Sequence, residues 1–243
     1  MQTPAAEPFS FAGGPTGCLL VHGFGGSPEE TYGLGKFLAA QGYSVLGVRL
    51  AGHGSTPEAF YRSRWRAWYN SAEEGLVELA ARTERVVVAG FSLGGVLGLL
   101  LSQRYPLAGL ITMGSRVLVR GNRRFVWSPV LRYAFGWRDP SLAAVAELRQ
   151  AVAAARQVLP RVTVPALVMH GRDDRVVLPA NAEAIVAGIA SERKELVWWE
   201  DTGHQMLVEG PHRLAIYERI ARFVAAVAGS LGHPDRTEVL ATG

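Results

Sequence analysis

Six short apolar runs punctuate the chain, and the stretches between them carry helical patterns. The runs are CLLVH (18–22), SVLGVRL (44–50), RVVVAGF (85–91), LAGLITMG (107–114), ALVMHG (166–171) and ELVWWE (195–200). Each is continuous rather than alternating in polarity. A strand covered by helices on both faces has no polar side to show, so runs of this kind predict a parallel sheet between two helical layers. Segments 29–40, 65–81, 93–104, 141–159, 179–189 and 211–228 predict the helices. Strand and helix alternate throughout, the pattern of a doubly wound α/β sheet. PFSF (8–11) adds an expected antiparallel edge strand.

At 243 residues and 49% hydrophobic composition the chain can bury one large α/β core. No repeat or linker divides it, so residues 1–243 are expected to form a single domain. One interval breaks the rhythm. SRVLVRGNRRFVWSPVLRYAFGWRDP (115–140) is too long for an ordinary strand-to-helix loop and reads as an insertion. Residues from about 230 to 243 read as a loose tail.

The single cysteine, Cys18, has no partner for an internal disulfide. The opening MQTPAAEPFSFAGG lacks a basic start followed by an apolar segment, and no apolar stretch reaches the roughly 18 residues of a membrane span. These features predict a soluble, cytoplasmic protein. The net charge is +4, and its basic side is almost all arginine, with only Lys36 and Lys194 as lysines. Outside 116–138 that charge is diffuse, unlike a nucleic-acid-binding face with aromatic stacking positions. No nucleic-acid partner is therefore expected.

The chemistry begins at AGFSLGG (89–95). A strand, then G-x-S-x-G, then a helix is the context of a nucleophile elbow. The turn there is so sharp that small residues are needed two before and two after the serine, where Gly90 and Gly94 stand. The plainer alternative is that Ser92 merely caps the helix. A cap requires neither glycine, yet the motif alone leaves both readings open.

A serine nucleophile needs a base to take its proton and a third group to hold that base in one tautomer. On this architecture the order is serine, acid, histidine, each beyond the carboxyl end of a strand. ALVMHGRDDRVVLP supplies Asp173 and Asp174, and ELVWWEDTGHQM supplies His204. The spacing G-x-x-D-x-x-V from Gly171 to Val177 points to Asp174, with Asp173 facing solvent or capping the loop. Asp201 reads as a loop residue. Acyl transfer also needs donors for the developing oxyanion. The backbone N–H of Leu93 is one candidate. The loop HGFGGSPEE supplies the other, with Phe24 as donor and its ring as a possible wall of the acyl pocket. His22 is expected to hold that loop, and His53 to be a structural loop residue. Trp65 and Trp68, spaced i, i+3, are expected to pack in the core.

The motifs LLVHGFGGSPEE, RLAGHGSTPE, VVVAGFSLGG, HGRDDRVV and DTGHQM resemble the α/β-hydrolase superfamily, and more narrowly bacterial carboxylesterases and monoacylglycerol lipases with a small lid. The resemblance spans Pro8 to Phe223. It implies Ser92 as nucleophile, Asp174 as acid, His204 as base and the amides of Phe24 and Leu93 as the oxyanion hole. It also implies that the 115–140 insertion is a lid, shorter than in many relatives. In the lid, Phe125, Trp127, Tyr133, Phe135 and Trp137 alternate with Arg120, Arg123, Arg124, Arg132 and Arg138. Two readings stand: a solvated face over a small core, or an amphipathic cover with Trp127 and Phe135 lining an acyl site. The implied reaction is ester hydrolysis without cofactor or metal. The implied partners are a small-molecule ester or lipid, with at most transient contact with a membrane surface, and the chain is expected to be a monomer or small homo-oligomer. The alternatives on this fold are a carbon–carbon bond hydrolase, a lyase, or a non-catalytic ligand-binding receptor.

Overall fold

The apolar runs assemble into one seven-stranded sheet. The structure, a computed structural model, describes residues 6–118 and 142–229. The strands are β1 (Phe9–Phe11), β2 (Thr16–Val21), β3 (Ser44–Val48), β4 (Arg85–Phe91), β5 (Gly109–Met113), β6 (Ala166–Gly171) and β7 (Lys194–Trp199). Their order in the sheet is β1-β3-β2-β4-β5-β6-β7. β1 runs antiparallel to β3, and the remaining pairings are parallel. The helices among the described residues are α1 (Glu29–Ala40), α2 (Pro57–Arg62), α3 (Trp65–Ala80), α4 (Leu93–Arg104), α5 (Leu142–Val158), α6 (Ala180–Gly188) and α7 (Arg213–Gly229). No described helix is long and apolar enough to cross a membrane.

Successive strand side chains point to opposite faces, and both faces are covered. Leu19, Val21, Val86, Val88, Leu110 and Val168 pack with residues of α3 to α6. Cys18, Leu20, Val87, Ala89, Ile111 and Met169 pack with residues of α1 and α7. This is why the runs in β2 to β6 are continuous. β7 departs from the expectation of a strand buried on both sides, since Lys194 and Glu195 are exposed and the rest half-buried. It forms an outer edge of the sheet, with β6 as its one strand neighbour among the described residues. Helix α2 was not anticipated. It is six residues long, too short to show a period, and starts from the Thr56 side chain accepting the Ala59 N–H with Pro57 in its first turn.

The expected insertion falls mostly on residues 119–141, which lie outside the described residues, as do Trp127, Phe135 and the lid arginines, and the tail from 230. The chain leading into it is fastened. Asn181 Oδ1 on α6 accepts the N–H groups of Val117 and Leu118 at 3.0 and 2.9 Å.

The sheet order reverses between β2 and β4. From β2 the chain steps to β3 on one side, then returns to lay β4 on the other. The loops leaving β2 and β4 therefore part over a crevice at their carboxyl ends, where open α/β sheets place their sites. In register, Val21 lies beside Gly90, so residues 22–26 emerge next to the turn at Ser92.

Beneath that crevice sits a cluster of rings. Phe24 meets Phe60 at 5.0 Å and Trp68 at 5.6 Å between ring centroids, and His53 lies 4.8 Å from Phe60 and 5.2 Å from His22. Trp68 is fully buried, while Trp65 is half-buried against the same core. His22 Nδ1 donates to the Gly23 carbonyl at 2.9 Å, and its Nε2 accepts the Leu50 N–H at 3.1 Å. His53 Nδ1 donates to the Ala51 carbonyl at 3.1 Å, which leaves Nε2 a bare lone pair without a partner among the described residues. Burial pushes His22 down to about 4 and His53, further opposed by His22, down to about 3.

Both histidines are thus neutral in the folded chain and protonated in the unfolded chain between those values and their ordinary pKa near 6.5. The stability they confer is full above about pH 6.5 and is lost as pH falls through that window. Glu30, pushed up by burial to about 6, acts in the opposite sense between about 4.3 and 6. Denaturant titration of the wild type against His53→Phe at pH 7, 6 and 5 isolates one proton. Below about pH 6.5 the variant's loss of stability on acidification is expected to be shallower, by up to about 1.4 kcal/mol per pH unit. Equal slopes would show that His53 is not held neutral.

Candidate active site

Ser92 joins β4 to α4 with φ 53° and ψ −110°, a left-handed conformation that costs a non-glycine residue on the order of 1–3 kcal/mol. Its surroundings enforce the turn. The Ser92 N–H donates to the Met113 carbonyl at the end of β5 at 2.7 Å, and its carbonyl accepts from Gly95 at 3.2 Å. A Cβ on Gly90 would strike the backbone of Gly94, and one on Gly94 would strike the Val21 carbonyl. The two glycines let strand and helix close on each other.

Ser92 occupies the N-cap position of α4, yet its side chain makes no capping bond. Oγ instead lies 3.1 Å from His204 Nε2. His204 Nδ1 is 2.7 Å from Asp174 Oδ2. A carboxylate can only accept, so Nδ1 carries the proton and Nε2 presents a lone pair to the serine hydroxyl. The histidine ring lies against Phe91, with centroids 5.1 Å apart.

Asp174 is 3% exposed and fully engaged. Oδ1 accepts the N–H groups of Val176 and Val177, each at 2.8 Å, Oδ2 accepts from His204, and His170 Nε2 lies 3.3 Å from Oδ2. Burial alone would raise its pKa. The bonds from His170, His204 and Val177, with the attraction of His204, outweigh burial and hold the carboxyl well below its ordinary range. Asp173 is exposed, and its N–H donates to the Thr202 carbonyl at 3.1 Å. Arg172 N–H likewise donates to the Trp199 carbonyl at 2.9 Å, so the acid loop and the histidine loop are tied backbone to backbone. Asp201 is a turn residue with φ 50°.

The loop after β2 brings Phe24 to the crevice, and its ring is spent in the aromatic cluster beneath. Leu93 is the first residue of α4, so its N–H has no acceptor a turn earlier and lies at the positive end of the helix. Gly23 N–H donates to Glu30 Oε2 at 2.8 Å, which anchors the loop to α1. No group of three or more metal-ligating side chains gathers among the described residues.

The sequence patterns did not single out His170 or Glu30. His170 closes an apolar run and reads as a strand residue. In the fold its Nε2 donates to the Val177 carbonyl at 2.8 Å while facing the Asp174 carboxylate. Its imidazole braces both the acid and the turn that presents it. His170→Ala is expected to slow modification of Ser92 by an organophosphonate about tenfold, the scale of one lost hydrogen bond to a charged group. His170→Gln, able to donate from nearly the same point, is expected to recover part of that rate. An unchanged rate in the alanine variant would remove His170 from the site.

The chain is similar over most of its length to known hydrolases. The profile of the Alpha/beta hydrolase family matches residues 18–216. A thermostable monoacylglycerol lipase of Bacillus sp. (strain H-257) is 33% identical over 92% of this chain and 96% of its own length. A carboxylesterase of Bacillus subtilis (strain 168) is 25% identical over 86% of this chain and 92% of its own. Among solved structures, one from a study of LipS and LipT, two metagenome-derived lipolytic enzymes, superposes with a TM-score of 0.83 at 29% identity, covering 93% of this chain and all of the other. On the profile match and the 33% identical relative, the chain belongs to the Alpha/beta hydrolase family.

Proposed function

We propose that this protein is a serine hydrolase that cleaves carboxylic esters of short to medium acyl chain, monoacylglycerols among them, through an acyl-enzyme on Ser92. The observation that carries the reading is the continuous hydrogen-bonded path from Ser92 Oγ through His204 to Asp174, in one tautomer and starting from a strained turn. The lipase and carboxylesterase relatives support the substrate class.

In the first step Ser92 Oγ attacks the ester carbonyl while its proton passes to His204 Nε2. Asp174, held ionised by its hydrogen bonds, stabilises the imidazolium. The carbonyl oxygen gains negative charge and turns toward the backbone N–H groups of Phe24 and Leu93, whose preorganised dipoles lower the barrier. The tetrahedral species collapses, the alcohol departs with the proton from His204, and the acyl group stays on Ser92. Water enters, gives one proton to His204 and attacks the acyl carbon; the acyl–Oγ bond then breaks, His204 returns its proton to Ser92 Oγ, and the acid leaves. No step calls on a group from outside the chain and its two substrates.

The test is a panel of p-nitrophenyl esters of increasing acyl length together with monoacylglycerols, run on the wild type and Ser92→Ala. The wild type is expected to turn over the shorter esters, and the variant to lose at least about a thousandfold in kcat while staying folded. Organophosphonate is expected to add one adduct, at Ser92, and none in the variant. Turnover that survives Ser92→Ala sinks the reading.

A further inference from the structure

Glu30 stands in the first turn of α1, where an acid commonly does no more than face the positive end of a helix. Its contacts are of another kind. Besides accepting the Gly23 N–H, its carboxylate lies against the whole oxyanion loop: Oε2 is 3.2 Å from where a Gly23 side chain would begin, and a Cβ on Gly26 would collide with the carboxyl group. The loop closes around the carboxylate because it has glycine at both points. The side-chain amide of Gln205 also reaches the Glu30 carboxylate and favours its charged form. Gln205 Oε1 is buried without a partner among the described residues, which fits an amide turned with its nitrogen toward the carboxylate. Gln205 directly follows His204.

We propose that Glu30 is a positioning residue of the Ser92 site: its carboxylate fixes the oxyanion loop through Gly23 and the histidine loop through Gln205, and its charge favours the imidazolium formed on His204. The proposal rests on the serine-hydrolase reading above and adds a second carboxylate to it, on a separate element from Asp174. Ester attack creates positive charge on His204 and negative charge at the oxyanion together. One side chain that grips both loops keeps the distance between those charges constant, and misplacement by about 1 Å can cost on the order of a hundredfold in rate.

The charge on Glu30 is itself poised. Burial pushes it up to about 6, against the opposing effects of the Gly23 amide, His204 and Gln205, while Glu29 on the same helix adds to the push. On the elements packed against α1, the buried titratable groups His22, Cys18 and Tyr217 are uncharged at that pH, while Arg213, Glu218, Arg219 and Arg222 of α7 are charged and lie outside the causes that shift Glu30. His22 at the head of the loop is held down at about 4, and Cys18 on β2 is pushed up to about 12. Tyr217 on α7 is also pushed up by burial, with its hydroxyl donated to the Leu207 carbonyl. His204 is the cation whose attraction opposes the upward push on Glu30.

The experiment measures kcat and KM on p-nitrophenyl butyrate from pH 4.5 to 9 for the wild type, Glu30→Gln and Glu30→Ala. Rates are expressed per site titrated by organophosphonate, so that unfolded protein does not count. Glu30→Ala loses both grips, and its kcat is expected to fall about tenfold or more with KM within about twofold. Glu30→Gln keeps an acceptor for Gly23 N–H but no charge. It is expected to recover most of kcat at pH 8, with the acid limb of kcat/KM displaced to lower pH because the imidazolium has lost an attracting charge. The proposal is overturned if kcat per titrated site in Glu30→Ala stays within twofold of the wild type, or if the Glu30→Gln profile superimposes on it. Ser92→Ala run alongside keeps the two ideas apart: turnover surviving in that variant would fell the hydrolase reading, whereas wild-type behaviour of the Glu30 variants alone would fell only this inference.

Discussion

The turn at Ser92 is the constraint around which the rest of the molecule is arranged. A serine at φ 53° is unfavourable in isolation and persists only where neighbouring structure over-determines it. Here that structure is the middle of the sheet. The Ser92 amide is tied to the end of β5, Gly94 is pressed on the end of β2, and α4 behind it is buried along nearly its whole length. The turn is also what denies Ser92 a capping role. At an ordinary helix start the serine is extended and its hydroxyl folds back onto the first amides. In this left-handed conformation Oγ points away from them, toward His204.

The polar groups around the turn are arranged so that each buried histidine is held in one tautomer. Each of the histidines His22, His53, His170 and His204 directs one ring N–H to a carbonyl or carboxylate. That fixes four tautomers with backbone and acid acceptors alone. Buried carboxylates take opposite roles according to their donors. Asp174 accepts from two amides and His204, with His170 Nε2 close by, and stays ionised, whereas Glu30 collects fewer donors and is pushed upward by burial. The physical difference is the count of donors set against the cost of removing a charge from water.

What could be read from the sequence and what could not divide along the reach of the interactions involved. Continuous apolar runs marked β2 to β6 because covering a strand on both faces leaves a local trace. β7 carries the same kind of run but lies at the edge, and being an edge is a property of the assembled sheet. Gly90, Ser92 and Gly94 form a pattern within five residues, and Asp174 and His204 each follow a recognisable strand. These are the residues found within hydrogen-bond distance of one another. His170 and Glu30 left no such mark, since the partners that define them, Asp174, Gly23 and Gln205, become neighbours only through the fold. Trp127 and Phe135 belong to the stretch outside the described residues, so their expected role is untouched by the geometry.

The position of β7 also explains why the histidine loop needs so much lateral support. Ser92 and the oxyanion loop leave strands paired on both sides in the middle of the sheet, whereas His204 follows the least buried of the parallel strands and must reach back across β6 and β5 to the serine. A side chain placed by an edge strand alone inherits that strand's freedom. The loop is restrained instead at successive points along its length. Trp199 and Thr202 are bonded to the acid loop, His204 to Asp174, and Gln205 to Glu30, while the Leu207 carbonyl accepts the Tyr217 hydroxyl from α7 at 2.7 Å. His204 is thus located by contacts from neighbouring elements and not by its own strand alone, which is how a residue from the sheet's periphery can hold a hydrogen bond to one at its centre.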